Sequence, residues 1–221
     1  MRQSGLMWLM CVAIGLLSAQ GAFASQTEIQ ALIRGVEHRY NAARTLSVSF
    51  TETYRIAGRE RAPESGRLVL RKPGRMRWTY TRPEGKLFVS DGKEVYLYTS
   101  QDNRVEKSTL KASDDLRAPM AFLLGKLNLK KEFQDFESHD GTVGTWLVGK
   151  AANDRLPYES VAMLIAPDYS IRELKITGRD ESTLNFSFSY ETVNPKVNDE
   201  LFAFAIPAGA EVVNAVNTGE N

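Results

Sequence analysis

The chain has 221 residues, with 28 Lys and Arg against 27 Asp and Glu, for a formal charge of +1. That length suits one domain, the 43% hydrophobic content is that of a globular protein, and a charge near zero removes the electrostatic case for a nucleic-acid partner. One Cys and two His exclude a disulfide framework, a thiolate cluster and a His-rich metal site within one chain.

Residues 1–24 read as a signal peptide. Arg2 gives a positive start, Leu6 to Leu17 is apolar throughout, and Ala22-Phe23-Ala24 supplies the small-x-small pattern before Ser25. The apolar run is shorter than the ~20 residues that a membrane span takes. Cys11 follows bulky Met10 in mid-run, so it does not read as a lipidation site and is lost on cleavage near Ala24. Arg2 leaves as well, and the remaining chain, 25–221, has equal numbers of basic and acidic residues and reads as a single domain.

Gln26 to Ala43 reads as a helix. Ile29, Leu32, Ile33, Val36 and Tyr40 draw one apolar stripe, and Ser25 or Thr27 caps its start. From Thr45 the period becomes two, with Leu46, Val48 and Phe50 on one face. Arg55 to Pro63 reads as a polar connection. Strands follow over Gly66 to Lys72, with Leu68 and Leu70 together, and over Arg75 to Thr81. There Met76, Trp78 and Tyr80 face away from Arg75 and Arg77. Lys86 to Ser90 and Lys93 to Thr99 make a hairpin around Asp91-Gly92, with Leu87 and Val89 assigned to the inner face. Arg104 to Leu110 is a polar strand.

Asp114 to Leu127 interrupts the strands with a second amphipathic helix, its stripe formed by Leu116, Met120, Leu123, Leu124 and Leu127. Pro119 sits early in it, where a missing N–H is tolerated. Strands resume over Glu132 to His139, Thr145 to Gly149, Ser160 to Ala166, Ile171 to Thr177 and Thr183 to Thr192. Asp199 to Phe202 is a short helical turn, and the polar tail after Val213 frays. Ten or eleven strands joined by short turns form an antiparallel meander that curls. The fold class is mainly β (α+β): a curved sheet whose concave face is covered by two amphipathic helices, an architecture for a pocket.

Nothing in the chain marks an enzyme. G-x-S-x-G, H-E-x-x-H and phosphate-binding glycine loops are absent. His38 lies off the helix stripe and His139 adjoins a turn, so both read as surface residues. The basic, aromatic stretch Arg71 to Trp78 does not make a nucleic-acid face, because alternation sends its arginines and its Trp to opposite sides.

In order along the chain stand Ser49-Phe50-Thr51-Glu52, Gly66-x-Leu68, Lys72-Pro73-Gly74-Arg75-Met76-Arg77-Trp78-x-Tyr80, and, after Pro83, Val89-Ser90-Asp91-Gly92-Lys93. Pro119-x-x-Phe122-Leu123-Leu124 and Phe202-x-Phe204-x-Ile206-Pro207 complete the set. With these the sequence resembles the outer-membrane lipoprotein carrier protein family (LolA) of Gram-negative bacteria. The resemblance implies an incomplete β-barrel closed by a helical lid over a hydrophobic cavity. It also implies a periplasmic chaperone, without cofactor or metal, working as a monomer. Its partners would be triacylated lipoproteins, an inner-membrane ABC-type release complex and an outer-membrane receptor.

Under that resemblance Phe50, Leu68, Leu70, Met76, Trp78, Tyr80, Leu87 and Val89 form the acyl-chain cavity. Residues 25–44 and 114–127 are then the lid, presenting Ile29, Leu32, Ile33, Val36, Leu116, Met120, Leu123 and Leu124. The same stripes fit a plain core equally well. Family members commonly carry an Arg where this chain has Lys72, and the resemblance implies a lid-latch role that falls here to Lys72 or to neighbouring Arg71. The alternative function is a lipid-binding or envelope-stress sensory domain of the same fold.

Overall fold

The computed structural model describes residues 26–110, 127–154, 156 and 158–214. Residues 1–25, which include the expected signal peptide and the cap candidate Ser25, and residues 215–221 lie outside them. So does the expected 114–127 helix, apart from its last residue, Leu127.

Helix α1 (Gln26–Ala42) forms where its apolar spacing requires, and Ile29, Ile33, Val36 and Tyr40 are buried while Leu32 is half-buried. Strands β1 (Thr45–Ile56), β2 (Arg59–Glu60), β3 (Glu64–Arg71), β4 (Arg75–Arg82), β5 (Glu84–Asp91), β6 (Glu94–Thr99) and β7 (Arg104–Thr109) follow. A single turn, α2 (Leu129–Glu132), leads into β8 (Phe133–Asp140). Then come β9 (Thr145–Ala151), β10 (Tyr158–Ile165), β11 (Ile171–Gly178), β12 (Thr183–Val193) and, after a 3-10 turn at Asp199–Phe202, β13 (Glu211–Asn214).

Among the described residues one sheet holds all thirteen strands in the order β13-β7-β6-β5-β4-β3-β1-β12-β11-β10-β9-β8, with β2 paired to β1. Edge strands β13 and β8 do not meet, so the curved sheet is an incomplete barrel. Three differences from the sequence reading have simple causes. The polar stretch after Arg55 continues as a hairpin, because Ala57 and Gly58 adopt the left-handed backbone of a tight turn and ladder bonds need no apolar alternation. β1 pairs with β12 as well as β3, which joins the two halves of the sheet. Val213 lies in β13, which pairs with β7 in parallel and so departs from a pure antiparallel meander.

Register aligns apolar side chains across the sheet. Leu97, Phe88, Trp78, Leu68 and Val48 are successive partners across β6, β5, β4, β3 and β1. Phe186, Leu174, Met163 and Leu147 continue the inner face across β12, β11, β10 and β9. Both sets belong to one apolar cluster with Ile29, Ile33, Val36 and Tyr40 of α1, with half-buried Leu97 packed against it. Between Phe50 and Tyr80 the ladder has Gly66, where a Cβ would stand 2.2 Å from the Thr79 carbonyl oxygen. Its missing side chain lets the two rings meet edge to face at 5.2 Å.

Candidate functional site

The inner face of the half-barrel brings together six of the eight residues grouped as a cavity: Phe50, Leu68, Leu70, Met76, Trp78 and Tyr80, all buried. Phe50 packs on Trp78 at 4.7 Å, and Trp78 on Phe186 at 5.5 Å. The Trp78 indole N–H donates to Met76 Sδ at 3.4 Å, which gives a buried donor an adaptable thioether partner. Buried among these, the Glu52 carboxylate accepts from the Tyr80 hydroxyl at 3.1 Å.

Leu87 and Val89 do not belong to this group. They pair with Thr79 and Arg77, on the outer face, and Phe88 takes the inner position opposite Trp78. The alternation was illegible because β5 is covered on both sides, so Leu87-Phe88-Val89 runs apolar without a polar marker. The outer cover is the C-terminal segment. Phe204 packs on Tyr96 and Tyr98 at 5.2 and 6.0 Å, and Arg77 donates to the Leu201 carbonyl at 3.1 Å. The inner face also holds Phe88 and Phe186, which the sequence alone does not single out. For Phe186 the signal was present, in the alternation Leu184-x-Phe186-x-Phe188.

Arg71 and Lys72 separate at the end of β3. The Arg71 guanidinium pairs with Asp199 and donates to the Val197 carbonyl at 2.8 Å, so it serves the C-terminal segment. Lys72 Nζ donates to the Tyr40 carbonyl oxygen in the last turn of α1 at 2.6 Å. Burial holds the Lys72 ammonium below the usual lysine range. Of the two latch candidates, Lys72 is therefore the one that reaches a helix of the expected lid.

The C-terminal half of α1 is fixed by side chains that the stripe did not predict. Arg39 Nε donates to Glu191 at 3.1 Å, and the Tyr40 hydroxyl donates to the other oxygen of the same carboxylate at 2.9 Å. That hydroxyl also accepts the Ile171 amide at 2.9 Å. Burial, with the Glu191 charge adding to it, raises the Tyr40 pKa well above the tyrosine range. On the adjoining face Asn41 pairs both ways with Leu127, accepting its N–H at 2.7 Å and donating to its carbonyl at 2.9 Å, while Glu37 accepts the Leu129 amide at 2.7 Å. Glu37 and Asn41 thus tie α1 to the last residue of the expected second lid helix and to the chain just after it.

Asn41→Ala leaves the Leu127 amide without this acceptor. Losing such bonds costs about 1–3 kcal/mol. Hydrogen exchange should show the 127–129 amides losing protection by about tenfold or more while inner-strand amides keep theirs. Uniform loss across the sheet would mean that the pair supports the whole fold instead of this junction.

The two histidines, His38 and His139, are exposed, and His139 stacks on Trp146 at 6.3 Å. Among the described residues no helix is long and apolar enough to cross a membrane.

Residues 41–205 match the family described as Outer membrane lipoprotein carrier protein LolA. A protein of Chromobacterium violaceum named outer-membrane lipoprotein carrier protein is 27% identical over 200 residues, covering 90% of this chain and 91% of its own. One of the same name from Bordetella avium is 28% identical over 208 residues, 93% of each chain. The solved structure of an uncharacterized conserved protein from Thermus thermophilus is similar with a TM-score of 0.53 at 14% identity, covering 85% of this chain and 99% of that one. That likeness concerns the fold.

Proposed function

The chain belongs to the LolA family of outer-membrane lipoprotein carrier proteins, and on that premise we propose that it is a periplasmic lipoprotein carrier. It takes triacylated lipoproteins released from the inner membrane by an ABC-type complex, shelters their acyl chains, and passes them to an outer-membrane receptor. In this reading residues 1–24 export the chain and are removed. α1 and the 114–127 segment are the lid, and Phe50, Leu68, Leu70, Met76, Trp78 and Tyr80 meet the acyl chains. No cofactor and no catalytic step are required.

The observation that carries the reading is the apolar inner face of an open half-barrel, continuous from Leu97 to Val48, in one cluster with the stripe of a helix tied at one end. Such a face offers hydrocarbon contact without chemistry. Energetics fit the role. Hiding acyl chain from water is worth about 0.8 kcal/mol per CH₂. Three chains of about 15 methylenes come to about 36 kcal/mol on that scale, above the practical ceiling of about 18–21 kcal/mol for non-covalent binding. A lipoprotein therefore leaves a membrane only with an energy-coupled donor. Its carrier must also bind below the maximum, or it would never release.

The test is to incubate purified protein with spheroplasts and follow newly made lipoprotein. Lipoprotein should appear in the supernatant only when the protein is added, and mass spectrometry of the complex should find the acylated form. No release, together with no acyl ligand in the purified protein, would overturn the reading. A stable envelope-protein partner in its place would point to the sensory alternative.

A further inference from the structure

Outside the apolar face, the structure gathers cations at one corner of the sheet. The first residues of β1, the last of β3 and the residues after β12 lie side by side there. The Lys72 amide donates to the Arg44 carbonyl at 2.9 Å, and the Asn194 amide to the Thr45 carbonyl at 2.8 Å. Asn194 Oδ1 accepts the Arg44 amide at 2.8 Å, and Thr45 Oγ1 donates to the Pro195 carbonyl at 2.8 Å. These bonds fix the backbone around an open crevice of about 590 Å³ whose lining includes Arg44, Arg71, Lys72 and Lys196.

The charge balance of this crevice is one-sided. Asp199 pairs with Arg71 and Arg75. Among the described residues, Arg44 and Lys196 have no carboxylate within ion-pair distance. Lys72 commits one N–H to Tyr40 and keeps two more as donors. Three separate chain segments therefore contribute cationic residues to the lining of one crevice, on a molecule whose total charge is +1. Repulsion among unpaired cations costs energy that an anion would recover.

From this arrangement we infer that the crevice is a binding site for a phosphate ester. A tetrahedral phosphate offers several terminal oxygens in different directions, which suits donors arriving from Arg44, Lys72 and Lys196. A planar carboxylate presents two oxygens in one plane and suits a single guanidinium fork. The crevice also exceeds the size of a bare phosphate, leaving space for the group it esterifies. The site does not depend on the acyl-carrying face. A lipid headgroup and a free phosphate ester share this chemistry, and the two can be told apart.

The test uses the purified protein and the double variant R44Q/K196Q, in which both substituted side chains are exposed and lie outside the apolar cluster. Glycerol 3-phosphate is titrated at constant ionic strength while the amide resonances of Arg44, Thr45 and Asn194 are followed. Glutarate serves as the carboxylate control. Saturable shifts at these amides are expected, weakened about tenfold in the variant as charge-assisted bonds are lost. Sedimentation with phosphatidylglycerol vesicles, against phosphatidylcholine, forms the second arm. Variant-sensitive sedimentation without glycerol phosphate saturation would assign the phosphate to a lipid headgroup and still support the site. Binding of neither probe, equal binding by the variant, or glutarate binding as tightly as glycerol phosphate would overturn it.

Discussion

Trp78→Ala should cost about 3–5 kcal/mol of folding stability, the range for truncating a large buried aromatic. For a chain of this size that lowers the melting temperature by about 6–20 °C. Three losses combine. The side chain is fully buried, so its apolar area returns to water. Its edge-to-face contact with Phe50 and its tilted contact with Phe186 disappear together, and these join β1, β4 and β12. Leu68 and Phe88, its partners to either side, then border a void. Leu87→Ala, on the other face of the next strand and half-buried, should cost less than about 2 kcal/mol. Urea denaturation of both variants measures the contrast. Equal losses would mean that the inner face is not the main core of the sheet.

That contrast also marks where the sequence could be read and where it could not. β4 was legible because Arg75, Arg77 and Thr79 label the outer face between Met76, Trp78 and Tyr80, and a period of two needs such labels. α1 was legible from its stripe, and its observed end at Ala42 is one residue short of the expected one. β5 was not, because Phe202 and Phe204 return from the far end of the chain to cover the outer side of this region. A strand buried on both faces carries no alternation. The same long-range return explains Arg71. Nothing within β3 shows that its partner will be Asp199, more than a hundred residues away, whereas neighbouring Lys72 turns to the helix. The anchors Glu37, Asn41 and Glu191 were invisible for a related reason. A polar residue off the apolar stripe of a helix, as Glu37 and Asn41 are, or near the end of a strand, as Glu191 is, looks solvated until tertiary contacts give it a partner. Alternation therefore located the apolar face, but the polar fastenings around it depend on contacts that only the folded chain supplies.

Lys72→Leu should leave the protein folded and able to take up lipoprotein, yet slow delivery to the acceptor by about 10- to 100-fold. The substitution removes the Nζ bond to the Tyr40 carbonyl. A bond with a charged donor contributes about 1.5–3 kcal/mol, and each 1.4 kcal/mol is a factor of about ten. The fold survives because α1 keeps its other fastenings, Arg39 and Tyr40 to Glu191 and Asn41 to Leu127. Within the carrier reading, the bond forms when α1 lies closed against the end of β3. It adds stability to the closed, empty state and none to a state in which acyl chains hold the lid away. Its free energy therefore favours release, as any interaction made in only one of two states shifts the balance toward that state. Without it the loaded state is favoured and cargo is retained. Lys72→Arg keeps a cationic donor of similar reach, with a fork able to bond more than one carbonyl, and should deliver at close to the original rate. Uptake from spheroplasts and transfer to outer-membrane vesicles separate the two steps. If Lys72→Leu delivers as fast as the unaltered protein, Lys72 is a structural fastening of α1 and the latch lies elsewhere in the lid.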